Sequence, residues 1–187
     1  MENTVVSSWN DFDPLKHAIV GRADFTCIPP TEPATEAKIP EDSDMRGMWG
    51  PRPQQTVERA NVQLNTLAAL LESRGVRVDR PQPLQWNQAV MTPDFSTGSS
   101  FGCMPPRDVL LTVGKEILSA PMSFRCRFWE YLAYHSLMQK YFDEDTEFRW
   151  EQAPRPRLSD AAYKAGYFDE ITIEERLGRT AELDFVT

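Results

Sequence analysis

Histidine and cysteine are scarce in this sequence. The 187 residues include only two histidines and three cysteines: His17, His135, Cys27, Cys103 and Cys126. The cysteines are odd in number and widely spaced, which is not the pattern of a disulfide framework, and no Cys-x-x-Cys pair occurs. Few ligands are available for a zinc site. We therefore predict no metal site, and the sequence also lacks a phosphate loop and a glycine-rich dinucleotide fingerprint.

Long apolar runs and an excess of positive charge are also absent. No stretch of about 18 apolar residues occurs, so no helix is predicted to span a membrane. The N-terminus has neither the composition of a secretory signal nor that of an arginine-rich transit peptide. The chain has 20 Lys and Arg against 28 Asp and Glu, which does not suit a phosphate backbone as the main partner. We therefore predict a cytoplasmic protein that binds neither membranes nor nucleic acids.

A strand–helix–strand order is predicted near the N-terminus. Pro14–Gly21 has the pattern of a strand that His17 opens as a partly buried polar residue. A helix with one buried face follows and is ended by Gly75. Val76–Pro81 is predicted to be the second strand, ended by its proline. The apolar positions of the predicted helix are Val57, Ala60, Leu64, Leu67, Ala68 and Leu71.

The same order is predicted a second time, which indicates an α/β fold built from repeated modules. Two apolar runs around Gly114-Lys115 predict a β-hairpin over Asp108–Pro121. A helix is predicted from an N-cap at Ser123 to about Phe142, with His135 in the core. Glu147–Pro154 is predicted to be the closing strand. The buried face of the helix is expected to contain Phe124, Phe128, Tyr131, Met138 and Phe142.

Two segments outside these units are predicted to be irregular. Residues 28–52 form a proline-rich, acidic loop, and Cys27–Asp44 is expected to contribute nothing to the core. A short helix, a loop and the start of another helix are expected over Leu158–Leu177. The sequence ends in the apolar AELDFVT rather than in a polar tail. We interpret residues 1–187 as the N-terminal part of a single longer domain.

Asp94 is the candidate binding residue that local chemistry singles out. Pro93 fixes its own φ and restricts the residue before it. A carboxylate held in this way can bind a guanidinium through charge-assisted hydrogen bonds. Asp after Pro is also a common turn signal, and the local features alone favour the turn. Arg107 and Asp108 are candidates for an ion pair at the start of a strand, and such pairs are usually structural.

The three cysteines are interpreted as small packing residues. Cys103 is the best of them as a nucleophile, because the nearby Arg107 would favour the thiolate.

Five ordered blocks of the sequence resemble the N-terminal region of the arginine:glycine amidinotransferase family. They are WNDFDPLKHAIVGRAD, TPDF, PPRDVLLTVGKEIL, APMSFRCRFWEYLAYHSLMQKYF and APRPRLSD. The resemblance runs from Trp9 to Thr187. The family includes the creatine-pathway enzyme and the amidinotransferases of streptomycin and cyanobacterial guanidine-toxin biosynthesis. The toxin-type enzymes are expected to be the most similar, through PTEP and ALLESRGVRVDRP.

The resemblance implies a fold, a reaction and an assembly. The fold is the pentein fold of guanidine-modifying enzymes, a five-module α/β propeller of which about two modules would be present. Family members transfer the amidino group of arginine to an amine through an amidino-cysteine intermediate, without cofactor or metal. A homodimer is expected. Glycine, a lysine-like amine and an inosamine phosphate all stay open as the acceptor.

The resemblance also assigns site residues. The catalytic cysteine, histidine and acid of the family fall beyond Thr187, so no catalytic residue is assigned here. Asp94 matches the position that contacts the substrate guanidinium, which replaces the turn as the favoured interpretation. Arg107 and Asp108 are carried over as residues at the edge of the pocket, although the sequence has one extra residue near Pro105-Pro106.

Two other functions stay open. One is hydrolysis of a guanidine or amidine, as in the related deiminases, with water in place of the amine. The other is a non-catalytic fragment or short homologue that acts as a binding or structural protein.

Overall fold

The computed structural model describes residues 4–32 and 47–163. Within these residues the chain is α/β, with three α-helices, nine short strands and three 3₁₀ turns. The helices are α1 (Gln54–Ser73), α2 (Pro106–Val109) and α3 (His135–Glu144). The strands are β1 (His17–Ile19), β2 (Cys27–Ile28), β3 (Gly50–Pro51), β4 (Arg77–Asp79), β5 (Val90–Met91), β6 (Ser96–Thr97), β7 (Leu110–Val113), β8 (Glu116–Ser119) and β9 (Arg149–Gln152). The 3₁₀ turns are Arg125–Arg127, Glu130–Tyr134 and Asp160–Ala162.

The first strand–helix–strand unit is confirmed. Strands β1 and β4 pair in parallel, with Ile19 opposite Asp79, and α1 lies between them in the chain. Gly75 follows α1 with a φ of 79°, a left-handed conformation that glycine adopts without steric cost. Helix α1 buries Val57 and Ala68 as predicted. Leu67 was expected on the same face but is 46% exposed, so the buried stripe is narrower than the periodicity indicates.

The second unit is confirmed as well. Strands β7 and β8 form an antiparallel hairpin, and β8 pairs in parallel with β9 after the chain passes through α3. Gly114 makes the hairpin turn with a φ of 59°. The hairpin begins at Leu110 rather than at Asp108, because Pro106–Val109 forms a helical turn with proline at its first position. The number of such modules in the complete fold stays a prediction.

The single helix predicted from Ser123 to Phe142 is wrong. The chain forms two 3₁₀ turns before α3 begins at His135. The aromatic side chains of this segment have different partners, since Phe128 packs on Phe95 and Tyr131 lies beside Trp150. One straight helix would place both rings on a single face.

The buried face of α3 also differs from the prediction. His135 is exposed rather than in the core, and its ring meets the edge of Trp150 at 5.6 Å between centroids. Phe142 is 42% exposed. The face that α3 buries consists of Leu137, Met138 and Tyr141.

The main core packs the N-terminal residues and the second unit together. Cys27 is fully buried in it, so the expectation that the Cys27–Asp44 segment avoids the core is wrong at its first residue. Strand β2 pairs with β3 and closes the base of the loop, while residues 33–46 lie outside the described chain. The core cluster consists of Val5, Val6, Cys27, Trp86, Cys103, Val109, Leu110, Ile117, Ala133, Tyr134, Leu137, Met138, Tyr141 and Phe148.

The predicted short helix at the start of Leu158–Leu177 is present as the 3₁₀ turn Asp160–Ala162. The loop and second helix expected after it lie outside the described residues.

A charged network joins the two units through Asp79 of β4. His17 is half-buried, as predicted, with Nε2 2.8 Å from Asp79 Oδ2 and Nδ1 3.1 Å from the carbonyl oxygen of Val5. Tyr141 donates to Oδ2 at 3.0 Å, and Lys140 donates to Oδ1 at 3.1 Å. Burial opposes ionisation of Asp79, but these hydrogen bonds outweigh it and lower its pKa to about 2.

Candidate functional site

Asp94 lies in the tight turn that connects β5 and β6. These strands pair antiparallel, with Met91 opposite Ser96. The hydroxyl oxygen of Thr92 accepts hydrogen bonds from the backbone N–H groups of Asp94 at 3.2 Å and Phe95 at 3.1 Å. The backbone N–H of Thr92 in turn donates to the carbonyl of Phe95 at 2.9 Å. Asp94 therefore lies in a turn, as the Pro-Asp sequence indicates. The hydrogen bonds of this turn fix the backbone from which the Asp94 carboxylate projects.

The carboxylate of Asp94 binds the guanidinium of Arg157. Nε of Arg157 donates to Oδ1 at 2.8 Å, and Nη2 donates to the same oxygen. The Asp94 side chain is 19% exposed, whereas that of Arg157 is 70% exposed. The hydrogen bonds and the negative charge of Asp94 raise the pKa of Arg157. The sequence did not predict this pair, because the two residues are 63 positions apart and no local spacing relates them.

Arg125 fixes the segment that carries Arg157. Its Nε donates to the carbonyl oxygen of Leu158 at 2.9 Å, and its Nη2 donates to Asp160 at 2.7 Å. The same guanidinium lies 5.6 Å from the ring centroid of Phe95, the residue after Asp94. Arg125 thus contacts both the residue that follows Asp94 and the residues that follow Arg157.

Aromatic rings hold the other side of that segment. The Arg155 guanidinium lies 3.9 Å from the centroid of Tyr131 and 4.9 Å from that of Phe128. Cation–π contacts of this kind stabilise a partly desolvated guanidinium. Phe128 also packs against Phe95 at 5.4 Å between centroids. The aromatic side chains that the sequence assigns to a core helix therefore support the Asp94 turn.

Arg107 and Asp108 are both exposed and lie in α2. The ion pair expected between them is replaced by a pair between Asp108 and Arg127, whose Nη1 lies 3.0 Å from Oδ2. Arg127 also donates from Nε and Nη2 to Glu130, at 2.9 and 2.8 Å. Glu130 is fully buried, and burial raises its pKa to about 7 in spite of Arg127.

The three candidate residues are only partly brought together. No hydrogen bond or ion pair among the described residues links Asp94 to Arg107 or Asp108. Asp108 is tied to the 3₁₀ turn Arg125–Arg127 through Arg127, and β6, two residues after Asp94, packs against the same turn. The 3₁₀ turn Arg125–Arg127 therefore links Asp108 to β6, the strand that follows Asp94.

The cysteines are packing residues, as predicted. Cys27, Cys103 and Cys126 are all free and buried. The Cys103 thiol contacts the carbonyl of Arg22 at 3.6 Å, and burial raises its pKa to about 12. The expectation that Arg107 would favour the Cys103 thiolate is wrong, because desolvation of the buried sulfur dominates.

A cleft in the described part of the chain lies away from the Asp94 turn. A cleft of about 330 Å³ lies between α1 and the loop at Asp24-Phe25, and none of the three candidate residues lines it. Within residues 4–32 and 47–163, no three or more His, Cys, Asp or Glu side chains are grouped so that they could hold a metal ion. No helix in the described part of the chain combines the length and apolarity needed to cross a bilayer.

The sequence is similar to those of characterised amidinotransferases, although no family model matches it. The mitochondrial glycine amidinotransferase of Danio rerio is 37% identical over 189 residues, which cover 100% of this chain and 44% of that protein. The L-arginine:L-lysine amidinotransferase of Pseudomonas savastanoi pv. phaseolicola is 35% identical over 91% of this chain and 47% of that protein. The chain therefore spans about half the length of these relatives. Because the first is named as mitochondrial, the cytoplasmic location stays a prediction.

Solved structures lead to the same family. SxtG, an amidinotransferase of the saxitoxin pathway from Microseira wollei, superposes with a TM-score of 0.79 and 33% identity, over 87% of this chain and 47% of that one. An inosamine-phosphate amidinotransferase from Streptomyces griseus superposes with a TM-score of 0.77 and 37% identity, over 86% of this chain and 46% of that one. Sequence and fold agree, which confirms that this chain resembles the amidinotransferase family over the part of the family's length that it spans.

Proposed function

We propose that this protein takes part in transfer of the amidino group of arginine to an amine, and that Asp94 binds the guanidinium of the arginine. The observation that carries the proposal is the contact of Asp94 with the guanidinium of Arg157. A carboxylate that holds one guanidinium in this conformation has the charge, exposure and orientation to hold another. Hydrogen bonds to the Thr92 hydroxyl hold the backbone of the turn from which this carboxylate projects.

Asp94 would act by orientation and electrostatics. In the family reaction a cysteine thiolate attacks the guanidinium carbon, ornithine leaves with the help of a histidine, and an amine takes the amidino group. A fixed carboxylate beside the guanidinium nitrogens holds the reacting carbon in place and balances the positive charge of the group. Removing water from this ion pair strengthens it, which favours a side chain as sheltered as that of Asp94.

The nucleophile is proposed to come from outside these 187 residues. Cys27, Cys103 and Cys126 are buried, and burial raises the pKa of each thiol. A thiol in this state is a poor nucleophile near neutral pH. We propose that the chain contributes about two modules of the pentein propeller and its arginine-binding side, that Arg107 and Asp108 lie at the pocket edge, and that the protein works as a homodimer in the cytoplasm.

Isothermal titration of the purified protein with L-arginine tests the role of Asp94. Asp94→Asn keeps the shape of the side chain but removes its charge, and we expect binding to weaken at least about tenfold, the loss typical of a hydrogen bond to a charged group. Asp143→Asn is the matched control, since Asp143 is exposed on α3. Equal arginine affinity in Asp94→Asn and the wild type would contradict the assignment.

Product analysis distinguishes the reaction classes. Ornithine from arginine plus an amine indicates amidino transfer, whereas citrulline indicates hydrolysis. The 187 residues by themselves are expected to release no ornithine, because the thiols are buried. Ornithine release by this chain would overturn the location of the nucleophile and turn attention to Cys103.

A further inference from the structure

We propose that Arg157 is an internal competitor of arginine for Asp94, and that it sets the affinity of the site for guanidinium ligands. The inference rests on the proposed role of Asp94 and adds a residue that opposes binding. Its starting point is that the guanidinium of Arg157 already occupies the carboxylate.

The pair with Arg157 involves only one of the two oxygens of the Asp94 carboxylate. Both N–H groups of Arg157 point at Oδ1 of Asp94. No hydrogen bond from the described residues reaches Oδ2. A guanidinium binds a carboxylate best when two parallel N–H groups meet both oxygens. A substrate guanidinium therefore gains its full contact only when Arg157 leaves Oδ1.

Arg157 is placed so that it can leave. Its side chain is 70% exposed, whereas that of Arg125, which anchors the same segment, is 12% exposed. Arg125 and Arg155 each lie over aromatic rings, and no such ring contact is found for Arg157 within the described residues. An exposed ion pair is weak, so displacement of Arg157 has a small cost.

The backbone keeps Arg157 nearby after displacement. Arg155, two residues before Arg157, is held by Tyr131 and Phe128. The carbonyl of Leu158, one residue after Arg157, is held by Arg125. A guanidinium tethered between two fixed points has a high effective concentration at Asp94. Arg157 therefore competes continuously rather than only when a free ligand is abundant.

The size of the effect follows from population arithmetic. If the exposed pair forms with an equilibrium constant of about one to five, the carboxylate is fully available in about one-half to one-sixth of molecules. Removing Arg157 is then expected to tighten arginine binding about two- to sixfold. A residue that merely positioned Asp94 would have the opposite effect, because its removal would weaken binding.

Calorimetric titration of the purified protein with L-arginine tests this, with wild type, Arg157→Ala, Arg149→Ala and Asp94→Asn compared at one salt concentration. Arg149 is the matched control, since its side chain is also 70% exposed and lies 3.9 Å from Glu116 rather than near Asp94. We expect tighter binding in Arg157→Ala and unchanged binding in Arg149→Ala. In ¹⁵N NMR of the wild type, the Arg157 Nε–H resonance, identified by its loss in Arg157→Ala, should move as arginine is added.

The outcomes separate this inference from the proposed function. Unchanged or weaker arginine binding in Arg157→Ala overturns the competition, even if Asp94→Asn abolishes binding and so upholds the role of Asp94. Unchanged binding in Asp94→Asn overturns the role of Asp94 itself. Absence of arginine binding in both the wild type and Arg157→Ala overturns both. Equal tightening in Arg157→Ala and Arg149→Ala also overturns the competition, because the cause is then net charge.

Discussion

Asp79 and Asp94 are the same residue type in opposite situations. The Asp79 side chain is 11% exposed, and its two oxygens contact His17, Arg77, Lys140 and Tyr141. Asp94 is comparably sheltered at 19% exposed, but its described partner is one arginine on one oxygen. A carboxylate with every acceptor position filled stabilises the fold, whereas one with an open oxygen can receive a ligand.

The largest expected effect is on stability when Asp79 is changed. Asp79→Asn removes the negative charge shared by His17, Arg77 and Lys140, and we expect the free energy of unfolding to fall by about 2–3 kcal/mol. Urea denaturation measures it through the transition midpoint. Asp143→Asn, an exposed change on α3, serves as the control. A wild-type midpoint in Asp79→Asn would mean that the network does not stabilise the fold.

The second-largest expected effect is a loss of folding stability at low pH. The pKa of Asp79 is lowered from 3.8 to about 2 in the folded protein. A lowered carboxylate pKa gives stability that is complete above about pH 4 and is lost as the pH falls toward 2. Because solvent screens the network, we expect this loss to be about 1 kcal/mol. Unfolding at several pH values should show the loss in the wild type and a flatter profile in Asp79→Asn; parallel profiles would count against the assignment.

The smallest expected effect is on stability when Asp94 is changed. Its pair with Arg157 is exposed on the arginine side, so Asp94→Asn is expected to leave the urea transition midpoint close to that of the wild type. The same substitution is expected to weaken arginine binding at least about tenfold. A large loss of stability in Asp94→Asn would remove the contrast with Asp79 and make Asp94 a structural residue.

Local patterns predicted the regular parts of this protein well. The hairpin turn at Gly114-Lys115 and the strands on either side of α1 and α3 follow from turn chemistry and hydrophobic periodicity, whereas their parallel pairing was seen only in the structure. Periodicity failed over Ser123–Phe142, where aromatic residues at helical spacing belong to two 3₁₀ turns and a shorter helix. Their contacts with Phe95 and Trp150 come from distant parts of the chain and override the local preference.

The candidate site was predicted less completely. Local chemistry singled out Asp94, Arg107 and Asp108, and the resemblance to the amidinotransferases implied a role for them in the site. The sequence paired Arg107 with Asp108 because they are adjacent. The structure pairs Asp108 with Arg127 instead. Adjacent residues on a helical turn point in different directions, whereas side chains brought together by packing can share a hydrogen bond.

By itself, the sequence determined the two strand–helix–strand units, the stiff turn at Asp94 and the family to which the chain is related. Each depends on residues that are close together in the chain or on motifs in a fixed order. Only the tertiary structure decided that Asp94 meets Arg157, 63 positions away, while Asp79 is enclosed by His17, Lys140 and Tyr141. The physical reason is that a carboxylate's role depends on how many donors the fold brings to it, and no local pattern encodes contacts between distant segments.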